Sequence, residues 1–232
     1  MSGTSEYIFV GVGDVHDNVD MLARIPELKD AYGIIVSGDL TNGGGPAQAG
    51  NVLNAVRSAN PYVFAQLGNM DKPEVNGFLE KQGVNIHAQA RPLLKDGDAP
   101  AGTRPGILGV GMSNYTPFGT PSEVSDAQLG EWLDAAYAKA DGFDPLLLVV
   151  HNPPVNTKTD VAGGGHVGSQ TVRAFLERTQ PPVCLTGHIH ESMAEDFVGK
   201  TKVINPGALR GGGYVLITVS GNGIEAELKQ VR

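Results

Sequence analysis

Five short apolar runs, each closing on ionisable or amide side chains, constrain this chain more than any other feature of it. The first, YIFVGVG at residues 7–13, passes directly into Asp14, His16 and Asp17. A buried strand has no reason of its own to end on three such groups. GIIVSGD at 33–39 ends in Asp39 and PYVFAQLGN at 61–69 ends in Asn69; DPLLLVVHNPP at 144–154 carries His151, and PPVCLTGHIHE at 181–191 carries His188 and His190. Amphipathic stretches near 18–30, 46–58, 73–82 and 169–179 separate the runs. The first three strand–helix units therefore recur at roughly 25 to 30 residues, the length of a parallel β-α-β crossover. This spacing predicts an α/β architecture, with helices packed on a parallel or mixed sheet.

The remaining segments fit the same plan. Residues 84–111 read as irregular, with short strand candidates, and GILGVGMSNYTPFGTPSE at 106–123 as a loop rich in glycine, proline and aromatics. Ser125 is the expected N-cap of a helix over DAQLGEWLDAAYAKA, where Leu129, Trp132, Leu133, Ala136 and Tyr137 share a face. The tail from Thr201 reads as closing antiparallel strands with a turn at Gly221–Gly223. With 232 residues, 41% of them hydrophobic and 18% charged, one core and a single domain over 1–232 are expected. A net charge of −8 repels phosphate polymers and anionic lipid, so neither polymeric nucleic acid nor a membrane is an expected partner. The lone cysteine, Cys184, allows no intramolecular disulfide and reads as a buried small hydrophobe. With no basic leader and no apolar run near ~20 residues, a cytoplasmic location is the expectation. Oligomeric state is left open.

In open α/β sheets the carboxyl ends of the strands face one crevice. Asp14, His16, Asp39, Asn69, His151, His188 and His190 should meet there. Imidazole, carboxylate and amide donors together suit manganese, iron, zinc or nickel rather than calcium alone. Taken singly, an aspartate or asparagine in such a place equally reads as a helix cap. Caps, however, do not need histidine, and four of the six histidines lie at these positions. Glycine precedes Asp14, Asp39, Asn69 and His188, as a crowded backbone requires.

The ordered set GDVHD, SGD, GNMD, VVHNPP and GHIHE resembles the signature of the calcineurin-like metallophosphoesterase superfamily over essentially the whole chain. The resemblance implies a two-sheet β-sandwich of mixed strands flanked by helices, a four-layer αββα fold, with two divalent metal ions (manganese, iron, zinc or nickel). By that pattern one ion takes Asp14, His16, Asp39 and His190. The other takes Asp39, Asn69, His151 and His188, which makes Asp39 the bridge. The implied activity is hydrolysis of a small phosphorylated substrate, phosphodiesters favoured, by in-line attack of a hydroxide held between the ions.

One departure matters. Many members carry histidine after the Gly-Asn pair, where it helps the leaving group depart, and this chain has Met70, which donates no proton. Asp71 remains as a candidate catalytic residue without its usual histidine. His166, behind Gly163–Gly165 and ahead of a helix expected from Ser169, is the candidate substitute acid. Arg104 and Arg210 are candidate phosphate clamps, His87 is expected on the surface, and Asp17 and Asn18 are expected to start the first helix. Met70 alone favours the alternative of a scaffold or binding protein that retains the fold without turnover. A metallohydrolase of amides or carboxylic esters fits less well, because its histidine-rich motifs differ.

Overall fold

The computed structural model describes residues 6–231. Its strands are β1 (Tyr7–Val12), β2 (Gly33–Val36), β3 (Val63–Ala65), β4 (Gln89–Pro92), β5 (Gly106–Val110), β6 (Ser113–Asn114) and β7 (Glu123–Val124). They continue as β8 (Leu146–Val150), β9 (Val161–Ala162), β10 (Gly165–His166), β11 (Val183–Leu185), β12 (Ala194–Val198), β13 (Thr201–Asn205), β14 (Gly213–Ser220) and β15 (Gly223–Gln230). Four α-helices, α1 (Pro46–Ala59), α2 (Glu74–Lys81), α3 (Asp126–Tyr137) and α4 (Gln170–Thr179), complete the frame.

Two mixed sheets carry the fold, ordered β15-β14-β1-β2-β3 and β12-β13-β11-β8-β5-β4. Strand alternation decides which side chains meet between them. Phe9, Ile35 and Phe64 of the first sheet enter one buried cluster with Ile107, Leu147, Val149 and Leu185 of the second. Their sequence neighbours point outward: Val10, Val12 and Ile34 pack with α1 and α2 residues, and Leu108, Leu148 and Cys184 with α3 and α4 residues. The layers are therefore helix, sheet, sheet, helix. Gln66, fully buried, ties the sheets at one end, its Nε2 donating to the carbonyls of Ser37, Val110 and Val149. That end is where β1, β2, β3, β8 and β11 run out.

Several local expectations change. Residues 18–30 form two 3-10 turns, Leu22–Arg24 and Pro26–Lys29, instead of an α-helix. Pro26 offers no amide proton, and the backbone entering this stretch is left-handed at Asp14, His16 and Asp17. Asp17 and Asn18 accordingly start no helix; their carboxylate and amide oxygens accept from the backbone amides of Asn42 and Asp20. Gly106–Val110, expected within a loop, is an internal strand between β4 and β8. The edge strand β12 has no counterpart in the sequence pattern. The tail divides, with β13 parallel to β11 in the second sheet and β14–β15 antiparallel in the first. Ser125 does cap α3, its side chain accepting from the Gln128 amide, and Cys184 is buried. Among the described residues no helix is long and apolar enough to cross a membrane.

Candidate metal centre

Each expected ligand stands where a strand of one sheet or the other ends. The turns that follow leave little choice of backbone. Asp14, His16, Asp39 and His188 all have positive φ, 51°, 48°, 49° and 72°. Four side-chain-bearing residues in the left-handed region are a local cost that the surrounding contacts must hold in place. Glycine supplies the room: a Cβ on Gly68 would stand 2.1 Å from Asp39 Oδ1, and one on Gly38 2.3 Å from His151 Nδ1.

The side chains converge in two overlapping groups. Donor atoms of Asp14, His16, Asp39 and His190 all lie within 4.8 Å of one another. His16 Nε2 is 2.9 Å from His190 Nε2, and His190 Nε2 is 3.3 Å from Asp14 Oδ1. On the other side, Asn69 Oδ1 is 3.0 Å from His151 Nε2 and 2.7 Å from His188 Nδ1. Asp39 Oδ2 belongs to both groups, 3.7 Å from His16 Nε2 and 3.5 Å from His151 Nε2. Ligands bonded to one ion at about 2.0–2.2 Å sit roughly 3 to 4 Å apart, so these separations fit coordination.

The surrounding hydrogen bonds fix which atoms face inward. The Met70 amide donates to Asp39 Oδ1 at 2.7 Å, leaving Oδ2 for the histidines. Thr120 Oγ1 accepts from Asn69 Nδ2 at 2.9 Å and donates to Glu123 Oε1 at 2.6 Å, which turns the Asn69 carbonyl oxygen to the centre. His151 Nδ1 faces the Ser37 carbonyl at 3.3 Å, and the His188 amide donates to the Asp14 carboxylate. Such outer partners orient metal ligands and set their basicity.

Titration behaviour reflects a cluster that holds positive charge at one histidine and resists it at another. Burial opposes ionisation of His151, yet Asp39, with Asp14 behind it, raises its pKa to about 9. Asp39 is likewise disfavoured as an anion by burial, but the charges of His151 and His16 hold it below the usual carboxylate range. Burial and then the His151 charge depress His188 to about 4. A divalent ion would answer the Asp39 and Asp14 charges in place of the His151 proton, and a neutral His188 is already in the form a metal ligand needs. The donor set therefore fits a metal.

The two candidate catalytic groups stand differently. Asp71 is buried; Oδ2 accepts the Leu40 and Gly68 amides, and Oδ1 the Thr41 amide and hydroxyl. It fastens the turn after β2 to the turn after β3, and burial with the Asp39 charge raises its pKa to about 7. His166 lies on the β9–β10 hairpin, half exposed, with Nδ1 2.7 Å from the buried Asp160 Oδ1. Asp160 also accepts the Asn156, Thr157 and Gly168 amides. Asp160, Thr120 and Glu123 carry no motif, and only their spatial neighbours reveal them.

A cavity of about 1030 Å³ opens over the centre. Asp39, Asn69, His188 and His190 line its floor, Met70 adjoins them, and the 114–121 loop, the hairpin residues Ala162 and Gly163, and Val167 just beyond the hairpin form its walls. Arg104 and Arg210 are not in this lining. Arg104 stacks on Phe143, 4.5 Å from the ring centroid, and Arg210 is exposed on a 3-10 turn. His87, expected on the surface, is buried: Nδ1 accepts the Gly111 amide at 3.0 Å and the ring meets Trp132 edge-on. Burial lowers its pKa to about 4.

The fold and centre define a four-layer αββα protein with a metal-binding Asp, His and Asn cluster at its strand ends. The chain belongs to the calcineurin-like phosphoesterase family, whose pattern matches residues 8–192. It is 31% identical over 205 residues to an uncharacterized protein of Methanocaldococcus jannaschii, covering 85% of this chain and 86% of that one. A probable cyclic nucleotide phosphodiesterase of Synechococcus sp. is 26% identical over 175 residues, 74% of this chain and 61% of the relative. A crystal structure from Thermus thermophilus superposes with a TM-score of 0.72 at 17% identity, covering 98% of this chain and 100% of that one.

Proposed function

We propose that this protein is a two-metal phosphodiesterase acting on small phosphate esters. One observation carries the reading: a single oxygen, Asp39 Oδ2, lies between His16 on one side and His151 on the other, each with its own set of further donors. Manganese, iron, zinc or nickel held there supplies Lewis-acid charge neutralisation at phosphorus and acidifies a coordinated water. Asp39 sets the spacing of the two donor groups, and Asn69 is oriented through Thr120. Among the described residues the lining contains no lysine or arginine. A monoanionic diester suits such a site better than a dianionic monoester, and the activity ascribed to the Synechococcus relative agrees.

Met70 borders the floor but has no proton to give. The Asp160 carboxylate occupies His166 Nδ1 and leaves Nε2 as the nitrogen free to act, on a hairpin whose Ala162 and Gly163 line the cavity. As an imidazolium, with a proton on each ring nitrogen, His166 gives its Nε2 proton to the leaving oxygen and is left with the Nδ1 proton facing Asp160, and Asp71 acts as a positioning residue for the Asp39 and Asn69 turns. The test is metal analysis after manganese loading, together with hydrolysis of an aryl phosphodiester and the matching monoester. Two ions per chain with faster diester turnover is the expected result. Bound metal without turnover of either ester would favour the scaffold alternative.

A further inference from the structure

The metal centre accounts for the floor of the cavity and leaves its most exposed wall unexplained. Tyr115 and Phe118 are 72% and 83% exposed, yet both line the cavity over the centre. The loop presenting them is tied down. Glu123 Oε1 accepts Thr116 Oγ1 at 2.5 Å, the Thr120 amide at 2.8 Å and Thr120 Oγ1 at 2.6 Å. Beyond Thr120, the Ser122 amide donates to the Asn69 carbonyl and the Ser122 hydroxyl to the Asp71 carbonyl. Large rings on a braced loop are held ready for contact, since no ordering of that loop is then needed on binding.

Charge narrows what they meet. The lining contributes Glu191 and the metal ligand Asp39 as acids and, among the described residues, no lysine or arginine. Any charge on the ligand away from the ions therefore goes unanswered, or meets Glu191. A flat, uncharged group gains from the rings by stacking and by losing water.

We infer that the 114–121 loop is a recognition platform for an uncharged planar ring on one arm of a phosphate diester, gripped by Tyr115 and Phe118. This rests on the phosphodiesterase reading for the placement of the phosphate and adds the chemical class of the ester group. Because Thr120 also orients Asn69, the platform and the centre share one rigid element, which fixes the distance from ring to phosphorus.

Dibenzyl phosphate and diethyl phosphate separate ring recognition from leaving-group activation, since their leaving alcohols are of similar basicity. Calorimetric titration of the manganese-loaded protein should show dibenzyl phosphate binding about 5- to 30-fold more tightly, the range for aromatic stacking. The double variant Tyr115→Ala with Phe118→Ala should erase that margin and leave diethyl phosphate unchanged; Tyr115→Phe should keep it. Equal affinities in the wild type, or a margin that survives the double variant, overturns the inference. Turnover of bis(4-nitrophenyl) phosphate in the same preparation tests the underlying reading separately. A ring margin without turnover would sink the phosphodiesterase assignment and leave the platform standing.

Discussion

The floor and the outer walls of the cavity are built on opposite plans. The floor is made of turns that end buried strands, where Asp39 and Asn69 are each at most 3% exposed and are oriented by the Met70 amide and by Thr120. The walls come from two exposed loops, 114–121 with Tyr115 and Phe118, and the β9–β10 hairpin, which lines the cavity through Ala162 and Gly163 and carries His166 beside that lining. The difference teaches where chemistry and choice of substrate separate. A metal centre tolerates little displacement and belongs on the scaffold, whereas groups that meet a variable ester arm are accommodated on loops.

The strongest challenge to this division is Asp39→Asn. Removing a carboxylate shared by both donor groups should lower metal affinity by more than the roughly 10- to 100-fold that losing an outer partner costs. Elemental analysis and turnover should fall together; unchanged occupancy would remove Asp39 from the bridging position.

His166→Ala probes the wall instead. It should slow esters with poor leaving groups by about 10²- to 10⁴-fold, spare activated aryl esters, and leave metal content intact. A plot of log kcat/KM against leaving-group pKa reads this directly, and Met70→His should flatten the slope of that variant. Parallel lines for wild type and His166→Ala would show that the hairpin takes no part in leaving-group departure.

A third prediction concerns the root of the wall. His87 holds the Gly111 amide, where the chain leaves β5 toward the 114–121 loop. Its folded pKa of about 4 lies below the ordinary histidine value of 6.5, so the unfolded chain binds the proton first. Stability from this group is therefore complete above pH 6.5, falls as pH drops toward 4, and levels off below that. The full loss is about 3 kcal/mol. Urea unfolding followed through Trp132, the only tryptophan, should show this slope, and His87→Gln should remove most of it.

The smallest effect tests the one place where wall and floor touch. Thr120→Val frees the Asn69 amide to rotate, and metal affinity should drop by roughly 10- to 100-fold with the fold intact. Unaltered affinity would show that Asn69 is held without the loop.

The reach of the sequence follows the same line. The ligand-bearing strands are legible because a run such as LLLVV has one stable place, between two layers, and a polar group at its end must leave the core. The two 3-10 turns after β1 are not, since their amphipathic pattern fits a helix, and it takes the left-handed residues of the centre together with Pro26 to forbid one. β5 is hidden for a related reason: its two glycines weaken the strand signal, but Gly109 faces Ile86 and Gln66 too closely for any side chain.

What the sequence determined by itself is the order of the ligand-bearing strands and the chemical identity of the cluster, because hydrophobic period and residue type are local properties. Tertiary structure alone decided that His87 is buried, that Asp160 holds His166, that Asp71 clamps two turns, and that Tyr115 and Phe118 stand over the metal centre. Those facts depend on contacts between segments that are mostly far apart in the chain, and no local pattern records which segments the packing of two sheets will bring together.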